Sequence, residues 1–353
     1  MVKSKLLYLL LISFLCLFNP DINAQERPEK EKKFRIIGLP TIDYNRSIGF
    51  KIGAMGMGFF DMSEKDTLSP ISSVGVMGFW STNKSWMTLA YTQLFFAQNK
   101  MRIKAAAGLV DFNFQYYEDT FFPGGVFIDF NTASDFAYMN IGFRLRENLY
   151  FGPQLIFSKR ETLFDIPVDI ENGTQSFNGI GGVLEWDNRS NVYNSHYGLF
   201  AKLSTFNYRD WLGSDVKFNN IQLEVNKYFP IDSLRTVATR LYGYFAVGDE
   251  IPFEGQRTIG RTDIRGYTQG EFRGEQNIAL QAEYRWTFHN KWGMVAFTGM
   301  AISHAPDGWS QLLPGGGAGL RYMMIPDKRI NAGIDLAGGV RDWGIYFRIT
   351  EAF

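Results

Sequence analysis

Four arginines set among glycines and acids are the residues in this chain best placed to do chemistry. Between Gly248 and Gln276 the sequence reads GDEIPFEGQRTIGRTDIRGYTQGEFRGEQ, carrying Arg257, Arg261, Arg265 and Arg273. A guanidinium presents a planar fork of donors that grips a carboxylate through two parallel hydrogen bonds. The chemistry on offer is charge pairing that ties a segment down, not bond making. The segment lacks helical or strand periodicity and holds almost nothing apolar to bury. A connection this long inside a compact domain is as a rule functional or unstructured, and what surrounds it decides which.

The other reactive side chains do not form a set. The three histidines, His196, His289 and His304, are far apart, and the lone cysteine is Cys16. The run Leu312–Gly319 (LLPGGGAG) is rich in glycine but lacks the Lys-Ser/Thr and the helix of a phosphate loop. No catalytic residue, metal site or cofactor is expected, and the chain is not read as an enzyme.

Residues 1–24 read as a secretory signal peptide: Lys3 and Lys5 precede the apolar run Leu6–Phe18, and Pro20 and Ala24 mark a cleavage region. Leu15 stands before Cys16 where lipoprotein processing wants a small residue. Cleavage after Ala24 leaves a mature chain without cysteine, which excludes disulfides and thiolate chemistry. Residues 25–33 (QERPEKEKK) form a short charged tail, and 34–353 read as one domain.

The elements that must position the arginines are strands. With 36 Lys+Arg against 36 Asp+Glu there is no basic field for nucleic acid, while 16% of residues are aromatic and 36 are glycine. Alternation at period two recurs in Ile48–Phe60, Trp86–Phe96, Arg102–Tyr116, Phe136–Arg146, Tyr150–Phe164, Phe177–Trp186, Tyr197–Tyr208, Val216–Tyr228, Val237–Val247, Ile278–Phe288 and Val295–Ser303. Counting such runs gives about sixteen strands of a length that crosses hydrocarbon at a tilt. Short turns (Asn99-Lys100, Glu147-Asn148, 230–233, 289–292) alternate with longer loops (Glu118–Ala133, Asp165–Gln175, Asp210–Ser214, Ala305–Gly315 and the arginine-rich segment). That alternation separates periplasmic turns from extracellular loops in an outer-membrane barrel. The arginine-rich connection, after the eleventh strand, then lies outside; His196 and His289 fall in periplasmic turns and His304 at the other end. A water-soluble sandwich or propeller is the alternative. Aromatic pairs at strand ends (Phe59-Phe60, Phe95-Phe96, Tyr116-Tyr117, Phe121-Phe122) suit interfacial girdles better. The expected fold is all-β: a sixteen-stranded antiparallel transmembrane β-barrel with a long inward-folded extracellular loop, in the bacterial outer membrane.

The loop tip Ile264-Arg265-Gly266-Tyr267 resembles the V/I-R-G-F/Y tip of the BamA/TamA superfamily, the surface-antigen-type barrels that insert and translocate outer-membrane proteins. Three further stretches resemble that family in the same order. They are Leu184-Glu-Trp-Asp-Asn-Arg-Ser-Asn191 with His196-Tyr-Gly198, Gly317–Tyr322 with Pro326 and Arg329–Asp335, and the C-terminal aromatic strand Gly344–Phe353. The resemblance implies that the loop folds into the lumen and that Arg265 meets acids on the inner wall. Strand parity, read independently, puts Ile278, Leu280, Tyr284 and Trp286 toward lipid and Gln281, Glu283 and Arg285 inward. It likewise leaves Asn331 and Asp335 inside. Glu283 and Asp335 are the acids available to Arg265, unless they are ordinary charges solvated by pore water. The family adds an acid on the thirteenth strand, where this chain offers Thr298.

The first strand, Phe34–Asp43, carries Gly38 and Pro40, so its pairing with the last strand, which places Ile345, Phe347, Ile349 and Phe353 on one face, should be poor. In the family that seam is a lateral gate; a bulged closure explains the residues as well. The resemblance implies outer-membrane protein assembly or polypeptide export through the seam. It implies as partners outer-membrane lipid, unfolded outer-membrane or exported polypeptides and, because residues 25–33 cannot make a POTRA domain, separate periplasmic proteins. A passive pore or structural partner barrel is the alternative, and the placement of the histidines disfavours a barrel hydrolase.

Overall fold

Period-two alternation gives each strand one apolar and one polar face, and closing such strands into a ring sends the two faces to opposite sides of one wall. The computed structural model describes residues 34–45, 48–63, 65–118, 126–165, 173–260, 263–267, 272–305, 308–340 and 342–353. The signal-peptide and tail readings fall on residues 1–33, and Arg261 and the Phe121-Phe122 pair also lie outside the described residues.

Sixteen antiparallel strands build the wall. They are β1 (Phe34–Asn45), β2 (Gly49–Phe60), β3 (Ser72–Ser81), β4 (Trp86–Phe96), β5 (Met101–Glu118), β6 (Val126–Arg146), β7 (Leu149–Phe164) and β8 (Gly179–Asp187). The second half comprises β9 (Gly198–Tyr208), β10 (Phe218–Pro230), β11 (Arg235–Val247), β12 (Gln276–His289), β13 (Trp292–Ala305), β14 (Leu313–Ile325), β15 (Ile330–Gly338) and β16 (Trp343–Ile349). A ladder joins each strand to the next from β1 through β16. No helix among the described residues is long and apolar enough to cross a membrane.

The outer wall is apolar. Ile36, Leu109, Phe151, Leu280, Leu320 and Leu336 all stand exposed on it. The inner wall of β8–β16 is polar and buried, with Glu185, Asn226, Arg240, Gln281, Glu283, Arg321 and Asp335 facing inward. A soluble fold would invert that arrangement.

Two expected loops are shorter than the sequence suggests. Glu118–Ala133 is mostly strand: β5 runs to Glu118 and β6 starts at Val126, so the two form a hairpin of eighteen- and twenty-one-residue arms. Its outer face is polar and self-satisfied, with Asn131 Nδ2 donating to Asp111 Oδ1 at 2.7 Å and Gln115 Nε2 to Asp129 Oδ1 at 2.9 Å. Its inner face is a ladder of rings, Phe112, Phe114 and Phe130, 5.2 and 5.8 Å apart. Cross-strand pairs of both kinds hold a hairpin whose polarity alone looks like loop. Likewise β14 begins at Leu313, inside the expected Ala305–Gly315 loop.

Candidate functional site

The connection after β11 is a folded insert rather than an apolar-poor loop. A two-stranded ribbon pairs Arg257–Thr258 with Arg273–Gly274, and Ile259 N donates to Phe272 O at 2.8 Å. Ile259, Ile264 and Tyr267 are fully buried against Phe206, Tyr208, Phe218, Tyr242, Tyr244 and Leu313 on the inner wall. The segment was expected to hold almost nothing apolar to bury, yet these three residues are buried, because isolated apolar residues without periodicity leave no pattern. Burying each contributes roughly 1.5–3 kcal/mol. Arg273 Nη1 donates to Phe253 O at 2.8 Å with its guanidinium over the Phe253 ring, and Arg257 stacks beside Tyr242 and Tyr244. Arg273 therefore braces the insert itself, and Arg257 holds it against β11.

Arg265 does something else. Its side chain is 1% exposed, and Nη1 donates to Asp335 Oδ2 at 2.8 Å while Nη2 donates to Glu283 Oε1. Both acids are completely buried. Each is shared: Glu283 also accepts from Arg285 at 2.9 Å, and Asp335 from Arg321 at 2.5 Å and Arg348 at 3.0 Å. Arg321 continues to Glu351 at 2.8 Å. Four guanidiniums thus surround three carboxylates. Parity nominated Glu283 and Asp335 and gave no role to Arg321 or Arg348. The first stood within a quoted motif without a role, and the second carries no sequence signal beyond alternation.

On β13 the position facing Arg265 is Phe297, whose ring centroid lies 3.4 Å from the guanidinium carbon. Thr298 points the other way, so it does not take the place of a family acid. A ring face does, supplying a cation–π contact where a carboxylate was sought.

The flanking tip residues dock on β14–β16. Gly266 N donates to Tyr346 Oη at 3.0 Å, and Tyr267 Oη donates to Pro314 O at 2.6 Å while accepting from Val340 N at 3.1 Å. Gly266 has φ +99°, and a Cβ there would lie 2.5 Å from Gly338 C, so the two backbones touch.

The seam lies next to this docking surface. All twelve residues of β1 pair with β2, yet among the described residues no ladder joins β1 to β16. Instead Ile349 packs with Ile37, Met57 and Phe59, and Phe347 shares a small cavity with Thr41, Lys51, Met55, Met77 and Phe79. The apolar face of β16 therefore meets the lumen side of β1 and β2. Gly38 and Pro40 are exposed on the other face of β1, and a Cβ at Gly38 would meet nothing within 4 Å. Phe353 does not continue the Phe347 face. Thr350 takes φ +74°, the chain turns inward, and Phe353 O accepts from Arg285 Nη2 at 2.8 Å.

His196 Nδ1 lies 2.5 Å from Thr236 Oγ1 and His304 packs on Trp309. Among the described residues no group of His, Cys, Asp or Glu could hold a metal ion.

Residues 72–311 match the family described as the Omp85 superfamily domain. BamA from Haemophilus ducreyi lacking POTRA domains 1-3 has a similar fold at 13% identity and TM-score 0.58, covering 90% of this chain and 70% of that one. CdiB from Acinetobacter baumannii is similar at 13% identity and TM-score 0.59, over 90% of this chain and 60% of that one. CdiB from Escherichia coli gives 12% identity and TM-score 0.59, over 89% of this chain and 62% of that one. The chain thus spans about three-fifths of the CdiB structures, and the likeness is one of fold. A search of curated protein sequences finds no match.

Proposed function

The chain belongs to the Omp85 superfamily, and on that premise we propose that it inserts or exports polypeptides across the bacterial outer membrane through the seam between β1 and β16. One observation carries the reading: both strands at the seam leave edges without a ladder inside an otherwise apolar wall. Each unsatisfied backbone group in hydrocarbon costs several kcal/mol. An edge that pairs with an incoming strand recovers that cost, so strand addition there is downhill without nucleotide hydrolysis. On this reading the arginine-rich insert enters from the extracellular side and steadies β12–β16 as the edge is used. Separate periplasmic proteins deliver the unfolded chains, and the outer-membrane lipid is the solvent of the apolar wall. The reaction makes and breaks no covalent bond.

The test is a disulfide across the seam. Thr41→Cys and Phe347→Cys place thiols in the small cavity shared by those two residues. Reconstituted in liposomes and oxidised, the double variant should lose at least nine-tenths of its capacity to insert an unfolded barrel substrate and regain it on reduction. Full activity with the crosslink complete would remove the seam from the mechanism. It would leave the passive pore or structural partner barrel, and bilayer conductance would then tell those two apart.

A further inference from the structure

We propose that the turn between β8 and β9, residues 188–197, is a strap that holds the two sides of the seam together from inside the barrel, and that opening the seam requires Tyr193 to let go. The inference rests on the seam reading above, but the contacts that carry it are independent of any substrate.

The turn is shaped by the residues that resembled a family motif and that the arginine network leaves unused. Asp187 sits between two guanidiniums, accepting from Arg102 Nη1 at 2.9 Å and from Arg189 Nε at 2.8 Å. The Arg189 guanidinium carbon lies over the Phe200 ring, 4.3 Å from its centroid. Asn191 Oδ1 then accepts from Tyr193 N at 2.8 Å and Asn194 N at 3.0 Å, folding the chain into a tight turn whose apex is Tyr193. Asn side chains make such turns because they mimic a backbone acceptor two residues on. The motif therefore builds a rigid pedestal for one tyrosine.

What that tyrosine touches lies on both flanks of the seam. On the β1–β2 flank its ring meets Phe59 edge-on at 5.4 Å, and its hydroxyl donates to Ile71 O at 2.9 Å. On the β14–β16 flank Tyr193 O accepts from Glu351 N at 3.2 Å, Asn191 Nδ2 donates to Lys328 O at 3.1 Å, and Arg329 Nε donates to Asn194 O at 3.2 Å. Tyr193 is buried with Ile37, Met57, Ile71, Ile325, Ile330 and Ile349, drawn from both flanks. A strand ladder would fix the seam by backbone pairing. Here a turn does it through one buried ring and a few hydrogen bonds, and such contacts can release without unfolding a strand.

The strap also meets the arginine network. Glu351, whose N–H binds Tyr193 O, pairs through its carboxylate with Arg321 and with Asn331 Nδ2 at 2.6 Å. Arg321 in turn shares Asp335 with Arg265. The docked loop tip and the strap thus pull on the same C-terminal flank from opposite ends of the barrel.

Amide hydrogen exchange read by mass spectrometry on the protein reconstituted in liposomes tests the strap directly, because exchange reports local opening segment by segment. Tyr193→Ala should speed exchange in β1 and β16 at least tenfold while leaving β5–β6 unchanged. Tyr193→Phe, which keeps the ring on Phe59 and drops the hydroxyl's bond to Ile71 O, should give a smaller and equally local rise. Asn191→Ala, which loosens the pedestal, should match it, so two mild variants stand in if Tyr193→Ala does not fold. No change in β1 and β16, or an equal rise in β5–β6, overturns the proposal. Substrate insertion measured on the same samples separates the two readings. Selective exchange in a barrel that inserts nothing keeps the strap and defeats the proposed function, and insertion with unchanged exchange does the reverse.

Discussion

Arg265→Ala is expected to release the insert from the lumen, making the Arg257–Arg273 segment cleavable by external protease at least a hundredfold faster and raising bilayer conductance. Hydrogen bonds to charged groups each contribute roughly 1.5–3 kcal/mol when buried, against about 0–1 kcal/mol for an exposed ion pair. Arg265 is the buried kind, with its side chain 1% exposed. The consequence for the wall is different, and the charge count shows why. Four guanidiniums (Arg265, Arg285, Arg321, Arg348) share three carboxylates (Glu283, Asp335, Glu351). Deleting Arg265 leaves three against three, with Glu283 still on Arg285 and Asp335 still on Arg321 and Arg348. The strands should therefore keep their heat resistance in detergent.

Asp335→Asn is the opposite case. It leaves four cations over two anions and strips Arg348 of its one ion-pair partner among the described residues. The wall should lose stability by more than in Arg265→Ala or Glu283→Gln, seen as a lower unfolding temperature on a gel-shift series. Combining Arg265→Ala with Asp335→Asn removes one excess cation and should be milder than the sum of the single changes. Strict additivity would show that the two residues do not share a field. A wild-type insert already open to protease would show that the loop is not docked at all.

The wall was largely legible in the sequence and its closure was not, for a physical reason. Alternation over ten or more residues reports which face meets lipid, and it puts Leu280 outside and Glu283 inside, where their exposure and burial also put them. Alternation fails where both faces are polar or aromatic, as in the β5–β6 hairpin, and where a single αL residue such as Thr350 reverses a face. It says nothing about contacts across the lumen. Glu283 and Asp335 could be nominated for Arg265 but not ranked, because the number of guanidiniums each receives depends on Arg321 and Arg348 from other strands. Phe297 carries no sequence signal as a guanidinium partner because it is a ring and not an acid, and Tyr193 carries none because its partners are remote backbone groups and rings.

Gly266→Ala should undock the loop tip without altering any charge, which separates shape from electrostatics. At φ +99° an alanine is strained in itself, at a cost of about 1–3 kcal/mol. Its Cβ would also stand 2.5 Å from Gly338 C, 2.7 Å from Gly338 O and 2.8 Å from Gly339 N. These are backbone atoms at the end of β15 and the start of the β15–β16 connection, which cannot swing aside as a side chain can, so the tip must lift. Lifting it breaks the Gly266 N–H bond to Tyr346 Oη and draws Arg265 away from its acids. The receiving side makes the same demand: a Cβ at Gly339 would meet Gly266 O and the Tyr267 ring at 2.6 Å. Gly266→Ala and Gly339→Ala should each reproduce the protease sensitivity of Arg265→Ala, and neither should add to it in combination, since a tip that has left its seat cannot leave again. A Gly266→Ala protein whose insert stays protected would mean that the tip has room the structure denies it.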